Sequence, residues 1–226
     1  MKIHSTMKLF RPALLVLAIL ISASVKSQNT KHSITSAKIV YRITETSSKE
    51  VAKKPIDYTL YIKKDLSRVE MESEKGKMTI INDNLAKTGY MLMDNAGTKI
   101  AMKMNLESEL KKKGVDSDAK VEITRESKVI AGYTCYKAII TSTTKEGPKS
   151  YDVWFTNDIK GDYSYENKVK GVNGLFMEFE DTRNGKTFKM TATSVEPSDN
   201  LSDDLFKVPS DYQLMDMPSF PGGMKY

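Results

Sequence analysis

Cysteine is nearly absent from this chain of 226 residues, with Cys135 standing alone. No internal disulfide can form, so the fold must be held by its core rather than by cross-links. Histidine is almost as scarce, at His4 and His32 only. A cysteine nucleophile needs a base and an electropositive setting, and His32 lies in a polar stretch with no apolar periodicity. A Cys/His pair is therefore not expected, and Cys135 reads as a small buried side chain on a strand. Long hydrophobic runs are also missing. The one uninterrupted apolar segment, Ala13 to Ile21, falls short of the roughly 20 residues that a membrane-spanning helix needs. It follows Lys2, Lys8 and Arg11 and leads to small residues at Val25-Lys26-Ser27, the pattern of a secretory signal peptide over residues 1–27. No cysteine follows the run to carry a lipid. The mature protein is expected in the periplasm, or secreted, as a monomer that does not span the membrane.

An excess of one charge sign is lacking once the leader is set aside. The chain holds 35 basic and 29 acidic residues, a net +6. Lys2, Lys8, Arg11 and Lys26 all belong to the leader, which leaves 31 basic against 29 acidic. Lysines and glutamates are mixed along every segment, so nucleic acid is not an expected partner. Lys111-Lys112-Lys113 reads as a solvated helix end. The carboxylate pairs Glu70/Glu72, Glu107/Glu109 and Glu178/Glu180 lack the contrast of environments that acid–base catalysis requires. Asn82-Asp83-Asn84 and Asp199 to Asp204 lack the spacing of a calcium loop and read as turns. No catalytic residue, metal ligand or cofactor site emerges, and the protein is not expected to be an enzyme.

What the sequence does have is period-two apolar alternation. Gln28 to Ser36 is a polar arm. Ile39, Tyr41 and Ile43 then share a strand face, as do Tyr58, Leu60 and Ile62 on the next strand, and Val69 and Met71 after the turn at Lys63-Lys64-Asp65. Met78, Ile80 and Ile81 follow. Of 13 methionines, four fall in a single hairpin, Tyr90 to Met104, which turns at Asp94 to Gly97. Met91 and Met93 share one face, and Ile100, Met102 and Met104 another. Methionine is flexible and polarisable, suited to irregular apolar surfaces that accept more than one partner. Asn105 to Lys113 predicts a short helix, with Asn105 as N-cap, acids in the first turn and Gly114 as the stop. Leu106 and Leu110 face the sheet.

Beyond a strand at Val121 to Thr124, Lys128 to Thr156 predicts the central hairpin of the sheet. Its strands carry Tyr136, Ala138 and Ile140 on one face and Tyr151, Val153 and Phe155 opposite, with Trp154 pointing away, to serve a small second core under the helix or to line a cavity, the first being preferred. Asn157 to Asn173 predicts a crossing loop with a helical turn around Tyr165 to Val169. Leu175 to Phe179 and Phe188 to Ala192 flank an Asn184-Gly185 hairpin turn. Leu205 to Tyr212 closes the domain, and residues 215–226 predict a flexible tail. About ten strands joined by short turns imply a single β-rich domain over residues 37–214, built as one large antiparallel sheet that must twist and curl.

Four segments carry a family resemblance: Tyr61-Ile62-Lys63-Lys64-Asp65-Leu66-Ser67-Arg68-Val69-Glu70, Val129-Ile130-Ala131-Gly132-Tyr133-Thr134-Cys135-Tyr136-Lys137, Asp152-Val153-Trp154-Phe155-Thr156, and Leu205-Phe206-Lys207-Val208-Pro209-Ser210-Asp211-Tyr212. Together they resemble an uncharacterised exported bacterial family with a domain of unknown function. Gly171-Val172-Asn173-Gly174-Leu175-Phe176 is similar to the signature loop of GLPGLI-type exported proteins, with Asn173 where proline and Phe176 where isoleucine would stand. Both families look like distant relatives of the periplasmic lipoprotein carriers. That resemblance implies a half-open antiparallel barrel whose concave side is apolar.

Two functions are expected from these readings. One is a binding module that holds a lipid, acyl chain or lipidated protein on an apolar face lined by Tyr58, Leu60, Ile62, Met91, Met93, Ile100, Met102 and Met104. The alternative is an envelope structural or protein-interaction module with a filled core and no small ligand.

Overall fold

The computed structural model of the chain describes residues 33–47, 55–74, 76–112, 119–144, 147–161, 163, 167, 169, 171–183 and 185–216. Residues 1–27, expected as a signal peptide, most of the polar arm, His32, Lys113 and residues 217–226 lie outside them. The strands are β1 (Ser36–Glu45), β2 (Ile56–Lys63), β3 (Leu66–Ser73), β4 (Gly76–Asp83), β5 (Thr88–Asn95) and β6 (Thr98–Asn105). After helix α1 (Leu106–Lys112) come β7 (Lys120–Ile130), β8 (Tyr133–Thr144), β9 (Gly147–Thr156), β10 (Leu175–Arg183), β11 (Lys186–Pro197) and β12 (Gln213–Asp216). The fold is mainly β, one large curled sheet in the order β12-β6-β5-β4-β3-β2-β1-β11-β10-β9-β8-β7.

Local alternation sets the strands, but long-range pairing sets their order. β2 to β6 form one meander and β7 to β11 another, and β1 joins them by pairing β2 on one side and β11 on the other. The hairpin β8–β9 is consequently not central. It lies next to the β7 edge, because the centre is fixed by β1 meeting β11, a pairing that no local pattern announces. The sheet also departs from purely antiparallel order, since β12 runs parallel to β6. Met215 and Asp216 belong to this strand, two residues inside the segment expected as a tail.

The curl is visible in contacts that skip strands. Lys128 of β7 reaches Glu178 of β10 at 2.8 Å, with β8 and β9 between them. Ile130, Tyr133 and Cys135 pack in the same buried cluster as Ile39, Leu60 and Ile62 of β1 and β2. Register shifts between Val40 and Tyr41, between Phe176 and Glu178, and between Ile123 and Ser127 supply bulges, each of which increases local twist. Tyr41 locks the main cluster by donating its hydroxyl to the Phe176 carbonyl at 2.7 Å.

Cys135 is fully buried, and burial pushes its thiol up to about 11. Trp154 is packed against the main core rather than under the helix, and the Lys128 ammonium lies 4.1 Å from its ring centroid. The helix is occupied elsewhere. Ser108 N–H donates to the Asn105 side chain at 2.9 Å, the expected cap, and Leu106 is buried over Gly89. In the crossing loop, Asn167 N–H donates to the Tyr163 carbonyl at 2.7 Å, one helical turn. Its side chain donates to Gly174 O and accepts from Phe176 N–H, tying the loop to β10.

Candidate functional site: a methionine-rich sheet face

Directly opposed residues on neighbouring strands share a face, so the register of β1 to β6 can be read as rows crossing the sheet. One row runs Ile39, Leu60, Val69, Ile80, Met91, Met102 and ends on Met215 of β12. A second runs Tyr41, Tyr58, Met71, Met78, Met93, Ile100. A third runs Ala37, Ile62, Ser67, Asn82, Gly89, Met104. All eight residues expected to line a ligand face fall in these three rows. The two methionine stripes of the hairpin, read from sequence as separate faces, are one face, because Met91 opposes Met102 and Met93 opposes Ile100.

Burial divides the rows. Met91, Met102 and Met104 are 3 %, 1 % and 3 % exposed and form one cluster, flanked by the half-buried Ile80, Met93, Ile100 and Met215. Leu60 and Ile62 are buried in the main cluster, with Tyr58 half-buried at its margin and stacked on Tyr41. In the second row Tyr58, Met71, Met78, Met93 and Ile100 are all half-buried. The face is thus closed along its third row, closed along the first except at the half-buried Val69, Ile80 and Met215, and reachable along its second. The third row carries a polar step, where the Asn82 amide donates to the Ser67 hydroxyl at 3.1 Å, both fully buried. Leu106 of α1 closes the far end of this row, lying where a side chain at Gly89 would otherwise project.

Val69, Met71, Met78, Ile80 and Met215 were not among the residues expected to line the face. The alternation of β3 and β4 was legible, but the register that aligns them with β5 was not. Met215 had no usable signal, since its strand is four residues long and pairs in parallel.

The opposite face of the same strands is covered by the chain's own C-terminal segment. Leu201, Leu205, Phe206, Val208 and Tyr212 pack on Ile81, Leu92, Ala101, Tyr61, Leu66 and Tyr90. A recess of about 140 Å³ remains between Phe206 and the sheet, lined also by Asn82, Asp83 and Thr88. Arg68, 9 % exposed, fastens this cover by donating to the Leu205 carbonyl at 2.8 Å. Its guanidinium also holds Glu70, which Lys77 meets from the other side at 3.2 Å. Burial pushes the Glu70 carboxyl up, but the bonds from Arg68 and Lys77 outweigh it and hold the group below the ordinary carboxylate value.

A second charged cluster lies on β10. Glu178 accepts from Lys128 and Lys189 at 2.8 and 2.9 Å and from the Thr191 hydroxyl at 3.3 Å. Burial raises its carboxyl and the two lysines lower it, with a net shift downward. Every partner of Glu178 named here is a cation or a hydroxyl donor, which makes the cluster a staple across the curl. Among the described residues no three His, Cys, Asp or Glu side chains converge as a metal site, and no helix is long and apolar enough to cross a membrane.

Several solved structures match this chain at low identity. PNGF-II superposes with a TM-score of 0.50 at 18 % identity, over 80 % of this chain and 30 % of that one, a likeness of fold alone. The chain therefore spans less than a third of the length of PNGF-II. The LolA superfamily protein NE2245 from Nitrosomonas europaea gives a TM-score of 0.35 at 9 % identity, over 76 % of this chain and 90 % of that one. LprF from Mycobacterium bovis gives 0.33 at 8 % identity, over 74 % and 89 %. No curated protein matches the chain. The family described as "Domain of unknown function (DUF4412)" matches residues 42–168, from the middle of β1 to the crossing loop after β9, and the chain belongs to that family.

Proposed function

We propose that this protein is an exported, non-catalytic binding module that holds an acyl chain, as free lipid or as part of a lipidated protein, along the second row of the methionine-rich face. The observation that carries the reading is the half-buried line Tyr58, Met71, Met78, Met93 and Ile100, which borders the apolar first row on one side and opens on the other toward the exposed strand ends at Ile56, Ser73, Asn95 and Thr98. A linear apolar ligand laid across strands would gain roughly 25 cal/mol for each Å² of apolar surface removed from water. Flexible methionines can follow chains of differing length and unsaturation. In this reading the signal peptide at residues 1–27 delivers the protein to the periplasm, where it acts as a monomer without a nucleic-acid partner.

Native mass spectrometry of protein purified from its own host, with displacement of a fluorescent fatty acid, tests the reading. A bound mass removed by organic extraction, and displacement weakened by Met93→Asp, are the expected results. No adduct and no displacement at micromolar protein would sink it.

A second reading is favoured by the near-complete burial of Met91, Met102 and Met104. There the face is filled by its own side chains, and the protein is an envelope structural or interaction module. Capture of an unchanged set of partners by a variant lacking residues 218–226 would remove the tail from that reading.

A further inference from the structure

Three methionines occupy successive strands at one level of the sheet. Met71 of β3 opposes Met78 of β4, and Met78 opposes Met93 of β5. We propose that these three thioethers form a binding site for a soft monovalent metal ion, Cu(I) in chemistry and Ag(I) as its redox-inert analogue.

The backbone places the donors suitably. Adjacent strands lie roughly 4.8 Å apart and directly opposed Cβ atoms about 5 Å apart. Each methionine has three rotatable bonds beyond Cα, so the outer two sulfurs can swing inward over the central Met78 and meet one ion. All three side chains are half-buried, so an ion can reach them from solvent while apolar neighbours limit competing water. Their neighbours in the first row, Ile80 and Met91, are aliphatic or thioether, and no carboxylate belongs to the rows on this face. Neutral sulfur donors without carboxylates disfavour Mg²⁺, Ca²⁺ and Mn²⁺, which demand oxygen, and favour soft Cu(I). A single positive charge also costs far less than a double one to place in such a setting.

Tyr58 adds a further element. It is the row neighbour of Met71, and it stacks on Tyr41 with ring centroids 4.8 Å apart and planes 2° from parallel. That separation matches the strand spacing, and Tyr58 is the directly opposed residue of Met71, so its ring stands at the margin of the site. An aromatic face beside a cation site stabilises the ion through the ring quadrupole.

Packing alone does not ask for this composition. Leucine or isoleucine would fill a half-exposed row with less side-chain entropy to lose. Methionine as gap-filler is needed where packing is irregular, a role already taken by the buried Met91, Met102 and Met104.

The test is a titration of the purified protein, labelled with ¹³C at the methionine methyl groups, with Ag(I), alongside Cu(I) competition against a chromophoric chelator. The expected result is one ion per chain, with the methyl resonances of Met71, Met78 and Met93 shifting together. Met78→Leu, and separately the triple Met→Leu variant at 71, 78 and 93, should weaken binding by about tenfold or more, a loss of roughly 1.4 kcal/mol. These swaps nearly conserve volume and leave the fold intact. Met177→Leu, in the main core, serves as the control and should bind as the parent does. Absence of methyl shifts, shifts confined to other methionines, or a triple variant that binds as tightly as the parent would each overturn the proposal. It stands independently of the acyl reading, since the titration uses metal alone.

Discussion

Arg68 should decide whether the C-terminal cover stays on the sheet. In the Arg68→Met variant the apolar stem is kept and the guanidinium is removed. The Leu205 carbonyl then loses its donor and Glu70 keeps only Lys77, whose side chain is 41 % exposed. Breaking a fully buried pair costs about 3–5 kcal/mol. Glu70 is 22 % exposed and retains one cation, so a loss of about 2–4 kcal/mol is expected here. For a domain of this size that corresponds to a drop of about 6–12 °C in Tm. Equilibrium urea unfolding gives the free energy, and hydrogen exchange gives its location. Protection should fall first at the amides of Lys207 and Tyr212, which bond to Asp204 and Pro209 within the cover. Arg68→Lys should sit between parent and Met variant, because an ammonium cannot reproduce the forked contact. A Met variant within about 0.5 kcal/mol of the parent, with the cover still protected, would refute the assignment of Arg68 as its fastening.

Four further outcomes are expected. Stability should fall as pH drops through and below the ordinary glutamate value of 4.5, because Glu70 and Glu178 both have lowered folded-state values and the stability they contribute is present only above that range; Glu178→Gln should flatten part of the slope in acid-titrated unfolding curves. Gly89→Ala should cost about 1–3 kcal/mol by overpacking, since its Cβ would come within 2.9 Å of both the Ile81 carbonyl and Leu106, and thermal melts of the single and of the Gly89→Ala/Leu106→Ala double variant should be non-additive. Tyr41→Phe should lose about 1 kcal/mol, the worth of one buried hydrogen bond, measured by urea titration. Cys135 should resist thiol reagents near neutral pH in the folded protein and react once the chain is unfolded in urea, as its burial and raised thiol value require.

The strands were legible because half-buried β-structure writes itself as alternation. Tyr58, Leu60 and Ile62 lie on one face as their spacing demands, and the α1 cap at Asn105 follows from a side chain that accepts from the free Ser108 amide three residues on. Cys135 could be placed by elimination, lacking any partner that would activate it. What alternation cannot encode is which strand lies beside which. The hairpin around Trp154 looked central because it holds the most apolar local pair, yet β1 pairing with β11 moves it toward an edge. Register is hidden for the same reason, so Met71 and Met78 became neighbours of Met93 only when three strands were aligned. The short strand at Gln213 to Asp216 has Leu214 66 % exposed and carries no alternation to detect.

The seam between β1 and β11 has a kinetic meaning. Thr46 and Thr187, bonded across it, are 141 residues apart in the chain. Apart from the crossing loop between β9 and β10, the meanders on either side consist of hairpins that close quickly, whereas bringing those two ends together carries a loop-closure cost of about 4 kcal/mol. During synthesis β1 emerges before the other strands and must wait, with Ile39 and Tyr41 lacking their partners on one side, until β11 has been made. The order of the sheet therefore leaves its middle open until β11 arrives, and makes the interval before that event a time when the chain is vulnerable to misassembly.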